Sequence, residues 1–238
     1  MVERRIKVFL DGADEDKIIK YGKNEIVRGF TTNPTLMKKA GVKNYKEFAL
    51  KVIKFIDDKP ISFEVFADEH DEMYEQAKII CSWGKNINVK IPVTNTKGEP
   101  SYKLINQLSK EGININVTAL FTFEQVANVI SNIDNNNKLN ILSIFAGRIA
   151  DSGVDPVPII KKCKELSEKK KNIEVLWAST REPFNIIQAS ECNCDIITVT
   201  EDILLKISSF GKDLNSFSLE TVRMFYEDAK TAKYILQE

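Results

Sequence analysis

The sequence predicts a single-domain α/β protein in which eight parallel strands close into a (β/α)8 barrel, followed by an extra C-terminal helix. Short apolar runs rich in Val and Ile alternate with amphipathic helical patterns along nearly the whole chain. The 238 residues are about the length that one such barrel needs. A doubly wound open sheet is the alternative, but neither a Gly-x-Gly-x-x-Gly pattern nor a phosphate-loop glycine pattern supports it.

The first half of the chain contains four predicted strands, each followed by a helical pattern. The strands are expected at Ile6–Leu10, Glu25–Phe30, Ile61–Phe66 and Ile87–Lys90. The helices are expected at Asp14–Tyr21, from Pro34, at Tyr45–Ile56 and at Glu69–Trp83. Pro34 suits the first position of a helix, because the N–H that proline lacks would have no partner within the helix at that position.

The second half of the chain continues the alternation. Its strands are expected at Ile113–Val117, Leu139–Phe145, Ile173–Trp177 and Asp195–Val199. Its helices are expected at Tyr102–Lys110, at Phe123–Ile133, from Asp155 to about Lys171, at Pro183–Ser190, from Asp202 and at Leu219–Leu236. The polar runs Asp134–Asn137 and Glu168–Lys171 are typical of solvated turns at helix ends.

Charge and cysteine usage exclude several classes of function. The 34 basic and 34 acidic side chains cancel, so no overall field favours nucleic acid or an anionic membrane. His70 is the only histidine, and the four cysteines include no C-x-x-C pair. A zinc site or a Ser-His-Asp site is therefore not expected. With no signal-peptide core and no long apolar run, the sequence predicts a cytoplasmic protein with reduced thiols.

Lys90 is the first candidate for chemistry. Val89 and Ile91 flank it with residue types that fill buried strands, and Pro92 ends the strand because it has no N–H to donate. Burial disfavours a charged ammonium and favours the free amine, which can attack a carbonyl and form a Schiff base. The alternative is a lysine whose stem runs along apolar surface to an ammonium in water.

Polar residues follow or end most of the predicted strands. In a barrel of this kind the chemistry is built at the C-terminal ends of the strands. The residues expected there are Asp11, Asn33, Glu64, Lys90, Asn116, Thr118, Ser143, Arg148, Ser179 and Arg181. They are expected to converge on one mouth.

An iminium formed on Lys90 would act as an electron sink that lets a neighbouring carbon–carbon bond break. Asp11 offers the base for the departing hydroxyl, and Glu64 with Thr118 and a water offers a second proton carrier. The two asparagines offer amides to sugar hydroxyls. The two arginines and Ser179 offer donors to a phosphate.

Each assignment has a plainer structural alternative. Asp11 and Asn33 could cap helices. Glu64 could be a purely structural partner of Lys90. The two arginines could form ordinary surface ion pairs.

Seven motifs in order carry a family resemblance over nearly the whole chain. They are Phe9–Asp11, Thr31–Leu36, Phe63–Val65, Val89–Pro92, Asn116–Thr118, Ser143–Ile149 and Ala178–Arg181. On these motifs the chain resembles the transaldolase family, in particular its short members. The resemblance implies a class I aldolase-type barrel without metal or cofactor. It also implies transfer of a dihydroxyacetone unit between sugar phosphates, typically from sedoheptulose 7-phosphate to glyceraldehyde 3-phosphate, in the pentose phosphate pathway.

The resemblance also implies roles for individual residues. Lys90 matches the Schiff-base lysine, Asp11 the acid/base, and Glu64 and Thr118 the pair that positions the catalytic water. The residues matching the dihydroxyacetone site are Thr31, Asn33, Asn116 and Ser143, with Phe145 beside them. The residues matching the phosphate site are Arg148, Ser179 and Arg181. Gly12 and Thr180 depart from the usual family pattern beside Asp11 and within the phosphate motif.

A fructose 6-phosphate aldolase branch of the same superfamily releases free dihydroxyacetone. That branch typically has Gln where this chain has Glu64 and Tyr where it has Phe145, so both positions resemble transaldolase. A catalytically silent sugar-phosphate-binding barrel is a further alternative, disfavoured because Lys90, Asp11 and Glu64 are all present. Short relatives often assemble as pentamers or decamers through the C-terminal helix. The apolar residues within 217–238 are compatible with such a homo-oligomer, or with packing on the chain's own barrel.

Overall fold

Eight parallel strands form a closed barrel in the computed structural model, which describes residues 6–135 and 139–236. The strands are β1 (Lys7–Asp11), β2 (Val27–Thr31), β3 (Ile61–Glu64), β4 (Ile87–Pro92), β5 (Ile115–Leu120), β6 (Asn140–Ile144), β7 (Ile173–Trp177) and β8 (Ile196–Val199). Each strand pairs with its neighbours in sequence, and β1 pairs with β8 to close the ring. The (β/α)8 prediction is confirmed.

Helices connect the strands around the barrel. They are α1 (Glu15–Gly22), α2 (Pro34–Lys39), α3 (Tyr45–Ile53), α4 (His70–Cys81), α5 (Tyr102–Lys110), α6 (Phe123–Asn132), α7 (Ala146–Asp151), α8 (Val157–Ser167), α9 (Phe184–Glu191), α10 (Glu201–Lys206) and α11 (Leu214–Ala232). The short helix α7, directly after β6, was not predicted from the sequence. The turn expected at Asp134–Asn137 lies partly outside the described residues.

Helix α11 occupies a different range from the predicted Leu219–Leu236. It begins earlier because the Asp213 side chain accepts a hydrogen bond from the backbone N–H of Ser216 and so caps the first turn. It ends earlier because Lys233 adopts the left-handed conformation, with φ of 53°. The apolar pattern located the helix, and the two caps set its ends.

The barrel interior is filled by side chains from several strands. Phe9, Ile141, Leu176, Ala178 and Ile196 form one buried cluster. Gly29 in β2 makes room for the first of these, because a Cβ there would lie 2.5 Å from the Phe9 ring. The strands therefore end around a packed core rather than around an open pore.

Two compact units divide the chain after Leu204. The first is the barrel. The second contains a 3-10 turn (Ile207–Ser209) and α11, on which Val222, Phe225 and Tyr226 are exposed. Among the described residues, no helix is both long and apolar enough to cross a membrane.

Candidate active site

A pocket of about 100 Å³ opens where the strands end. Its lining residues are Asp11, Thr31, Asn33, Lys90, Thr118, Ser143, Phe145, Arg148, Ala178, Ser179 and Thr198. Seven of these were expected at the mouth from their places at strand ends, and Thr31 and Phe145 were expected at the site from the family resemblance. Glu64, Asn116 and Arg181 were also expected there and do not line the pocket.

Lys90 lies at the pocket with its side chain only 6% exposed. Its Nζ donates a hydrogen bond to the backbone oxygen of Thr32 at 2.9 Å and lies 3.2 Å from Glu64 Oε2. The register of β3 and β4 places Glu64 directly beside Lys90, which explains this ion pair. The ammonium is therefore not in open water, and the alternative of a lysine reaching out to solvent is wrong.

The end of β3 is held by a buried tyrosine. The Tyr45 hydroxyl accepts a hydrogen bond from the backbone N–H of Glu64 at 2.8 Å and donates one to its carbonyl at 2.9 Å. Burial raises the pKa of Tyr45, so the hydroxyl keeps its proton and remains a donor. Edge-to-face contacts with Phe63 and Trp83 fix the ring. The carboxylate beside Lys90 thus rests on a fixed backbone.

Asp11 ends β1 on another side of the pocket. Its Oδ1 accepts a hydrogen bond from Thr31 Oγ1 at 2.7 Å, and that hydroxyl is 2.5 Å from Thr198 Oγ1 on β8. Burial raises the pKa of the Asp11 carboxyl, against the opposing effects of the Lys90 charge and the Thr31 hydrogen bond. A carboxyl with a raised pKa can take up and return a proton closer to neutral pH.

The helix-cap alternative applies to one of the two candidates. Asp14, not Asp11, caps α1 by accepting from the backbone N–H of Lys17 at 3.1 Å. Asn33 does cap α2, because its Oδ1 accepts from the backbone N–H of Leu36 at 3.0 Å. Asn33 also lines the pocket, so capping holds its amide in place at the mouth.

A buried polar chain lies inside the barrel next to the pocket. Asn116 donates from Nδ2 to Ser62 Oγ at 3.0 Å and accepts from Ser143 Oγ at 2.7 Å. Both ends of the Asn116 amide are used within the barrel, and Asn116 does not line the pocket. Thr118 does line it, and its buried hydroxyl has no hydrogen-bond partner within the described part of the chain. An incoming hydroxyl or water would satisfy that hydroxyl.

The third side of the pocket carries the predicted anion site. Arg148 lines the pocket, with its guanidinium carbon 5.8 Å from the centre of the Phe145 ring. Ser179 adopts the left-handed conformation, with φ of 64°. A Cβ on Gly147 would lie 1.6 Å from the Ser179 carbonyl oxygen, so only glycine permits this approach of α7 to the Ser179 turn.

Arg181 forms a surface ion pair. Its Nε donates to Asp151 Oδ1 at 2.9 Å, and its Nη1 donates to the carbonyl of Ser179 at 2.9 Å. Its side chain is 45% exposed. The ion-pair alternative therefore describes Arg181 as it stands in this structure.

Several residues of the site were missed by sequence reasoning. Thr198 and Ala178 line the pocket, Ser62 holds Asn116, and Tyr45 holds the end of β3. Thr198 and Ser62 share a signal that was available, since each is a small polar residue between two apolar residues of a strand. Tyr45 gave no such signal, because it opens an amphipathic helix. Over the described ranges, no three His, Cys, Asp or Glu side chains come together as a metal site would need.

Comparison with known proteins identifies the family. A family model described as transaldolase/fructose-6-phosphate aldolase matches residues 8–237. This chain belongs to the transaldolase/fructose-6-phosphate aldolase family. Apart from Lys7 at the start of β1, the match spans all eight strands and the C-terminal helix.

Curated relatives in this family are similar over most of their length. A probable transaldolase from Dehalococcoides mccartyi is 32% identical over 203 residues, covering 85% of this chain and 90% of the relative. A probable transaldolase 2 from Listeria monocytogenes is 34% identical over 224 residues, covering 90% and 98%. A crystal structure of dihydrodipicolinate synthase from Rhodopseudomonas palustris superposes with a TM-score of 0.55 at 10% identity, covering 82% of this chain and 69% of the other. That likeness concerns the fold alone.

Proposed function

We propose that this family member is a transaldolase. It would move a dihydroxyacetone unit from sedoheptulose 7-phosphate to glyceraldehyde 3-phosphate, giving erythrose 4-phosphate and fructose 6-phosphate, through a Schiff base on Lys90 in the pentose phosphate pathway. The observation that carries the proposal is the position of the Lys90 amine. It is buried at a strand end, beside the Glu64 carboxylate and in the same pocket as Asp11.

The proposed reaction begins at the Lys90 amine. The free amine attacks the ketose carbonyl and gives a carbinolamine, which loses water to become an iminium. Glu64, 3.2 Å from Nζ, accepts the amine proton and delivers a proton to the departing hydroxyl. The partnerless hydroxyl of Thr118 would hold the water that leaves here and returns when the imine is hydrolysed.

Carbon–carbon cleavage follows from the iminium. Asp11 removes the proton from the hydroxyl next to the breaking bond, and the bonding electrons move into the iminium to form an enamine while an aldose leaves. The raised pKa of Asp11 suits this exchange, because the same carboxyl then gives the proton to the alkoxide formed on the acceptor aldehyde. Hydrolysis of the new iminium releases the ketose product and regenerates Lys90.

The residue at 145 supports transfer rather than release of the three-carbon unit. Phe145 lines the pocket and packs on the barrel cluster, and its ring carries no hydroxyl to protonate the enamine. An enamine that is not protonated remains available for an acceptor aldehyde. A fructose 6-phosphate aldolase, which frees dihydroxyacetone, is the competing outcome in the test that follows.

Trapping with borohydride tests the proposed function. The protein is incubated with fructose 6-phosphate and borohydride, and intact mass and peptide analysis locate the adduct. A parallel reaction contains erythrose 4-phosphate as acceptor, and free dihydroxyacetone is assayed in both. We expect a three-carbon adduct on Lys90 with little dihydroxyacetone released. Steady release without acceptor would show an aldolase, and the absence of any adduct would refute the Schiff-base proposal.

Replacing Glu64 tests its part in the proton path. Glu64→Gln keeps the shape of the side chain and removes its ability to accept a proton. We expect imine formation, measured as the single-turnover rate of borohydride-trapped adduct, to slow by about 10²-fold. Tyr45→Phe is the comparison, because it loosens the backbone of Glu64 while leaving the carboxylate. A trapping rate unchanged by Glu64→Gln would remove Glu64 from the mechanism.

Assembly and location belong to the same proposal. The exposed apolar residues of α11 support a homo-oligomer, pentamer or decamer, built through this helix. Light scattering of the purified chain would give its mass in solution.

The buried thiols of Cys163, Cys192 and Cys194 support a reducing, cytoplasmic setting. Sugar phosphates are the proposed small-molecule partners, with neither nucleic acid nor membrane involved.

A further inference from the structure

One carboxylate lies where the proposed phosphate site needs positive charge. Asp151 ends α7, three residues after Arg148 and so on the same side of the helix. Its two oxygens meet Arg181 in a forked pair, with Nε to Oδ1 at 2.9 Å and Nη2 to Oδ2 at 2.5 Å. These two nitrogens form an edge of the guanidinium that could otherwise grip a phosphate.

The pairing also sets where Arg181 lies. With its Nη1 bonded to the carbonyl of Ser179, Arg181 is held outside the pocket lining, whereas Arg148 remains within it. The pKa of Asp151 lies below its ordinary value, chiefly because of its hydrogen bond to Arg181, with the charge of Arg148 acting in the same direction. The carboxylate is therefore ionised and within the field of both arginines.

We propose that Asp151 is a specificity-determining residue that competes with the substrate phosphate for Arg181. This inference rests on the proposed function. A phosphate group can grip the Nε–Nη2 edge of Arg181 only by displacing the Asp151 carboxylate, and the negative charge of Asp151 repels the phosphate as it approaches. The side chains of Asp151 and Arg181 are 53% and 45% exposed, so the competition is screened by salt. Asp151 thus weakens binding of phosphorylated sugars relative to sugars without phosphate.

The opposite role for Asp151 makes the opposite prediction. A carboxylate that merely held Arg181 ready for the phosphate would favour phosphate binding, and its loss would weaken that binding. Asp151→Asn separates the two roles. The amide oxygen can still accept a hydrogen bond from Arg181, so the variant removes the charge while retaining part of the contact.

The test uses the full chain and two trapping substrates. Half-saturating concentrations for borohydride trapping on Lys90 are measured with fructose 6-phosphate and with free dihydroxyacetone. We expect Asp151→Asn to lower the value for fructose 6-phosphate about threefold at low salt and to affect dihydroxyacetone much less. The difference between Asp151→Asn and the wild type in the half-saturating concentration for fructose 6-phosphate should diminish in high salt. Calorimetric titration with inorganic phosphate should show the same tightening without any turnover.

Two further variants control the experiment. Asp58→Asn makes the same charge change in an exposed ion pair with Lys85, in the loops that lead into β3 and β4 at the other end of the barrel, and should shift neither value. In an Arg181→Ala background the effect of Asp151→Asn should largely vanish, because the two residues act as a pair. The proposed role of Asp151 would be overturned if Asp151→Asn bound both fructose 6-phosphate and inorganic phosphate as tightly as the wild type or less tightly. If the wild type formed no trapped adduct with either sugar, the proposed function would be refuted. The affinity for inorganic phosphate would then still test whether Asp151 weakens phosphate binding.

Discussion

Lys90→Met is expected to lower the rate of dihydroxyacetone transfer by at least about 10³-fold, because the thioether cannot form an imine. Methionine keeps an unbranched chain of similar length in the buried space that the Lys90 side chain fills beside the pocket. The measurement is the rate of erythrose 4-phosphate-dependent turnover of fructose 6-phosphate, with circular dichroism to verify the barrel. Transfer above trace levels would contradict the Schiff-base mechanism.

The same variant should also be less stable, because the Glu64 carboxylate and the Thr32 carbonyl lose their common partner. We expect a loss of about 2 kcal/mol in the free energy of unfolding. The double variant Lys90→Met with Glu64→Gln should recover part of this stability, since a neutral amide tolerates the site better than an unpaired carboxylate. The double variant should recover no activity. Comparing the single and double variants therefore separates the loss of the reactive amine from the loss of stability.

Asp11→Asn is expected to reduce transfer by about 10³-fold while leaving the amine of Lys90 able to form an imine. The amide can still accept the hydrogen bond from Thr31, so the geometry of the pocket changes little. Bond cleavage then lacks its base. Borohydride should therefore trap the intact six-carbon sugar on Lys90, rather than the three-carbon unit, and a three-carbon adduct formed at the wild-type rate would exclude Asp11 from the cleavage step.

The raised pKa of Asp11 adds a stability prediction to the same variant. In the folded protein the carboxyl holds its proton more tightly than in the unfolded chain, where its ordinary pKa is 3.8. Ionisation therefore opposes folding, and this part of the stability is lost as the pH rises from 3.8 through the raised pKa. Asparagine has no proton to lose. Asp11→Asn should resist urea better than the wild type at neutral pH, with the advantage shrinking toward acidic pH, and a constant difference across pH would contradict the assignment.

The barrel could be predicted from the sequence because the pattern of an apolar strand followed by an amphipathic helix is repeated eight times. Each strand was recognised from its own apolar run, and the alternation with helices left few other topologies. The ends were less accurate where a cap or a bend, rather than hydrophobicity, sets the boundary. β5 was expected at Ile113–Val117 and lies at Ile115–Leu120, and α8 was expected to reach Lys171 but ends at Ser167.

The site was predicted as a set of residues, but of its contacts only the pairing of Glu64 with Lys90 was anticipated. Residues at strand ends could be located because the fold brings those ends together. Their other partners could not, since they come from distant positions. Arg181 pairs with Asp151 across 30 residues, and Tyr45 holds Glu64 across 19. Asn116 was expected at a substrate but uses both ends of its amide inside the barrel. Whether a polar side chain binds another residue of the protein or remains available to a substrate depends on tertiary packing, which local sequence patterns do not contain.

The pairing of β1 with β8 has a consequence for the nascent chain. Asp11 depends on the hydroxyl of Thr31, which in turn meets the hydroxyl of Thr198 on the last strand of the ring. Asp11 is synthesised well before Thr198, and Thr198 belongs to the last strand of the barrel. The barrel and the hydrogen-bonded support of Asp11, the proposed acid/base, therefore become complete only when β8 joins the ring. No partly synthesised chain that lacks β8 can hold Asp11 as the finished protein does.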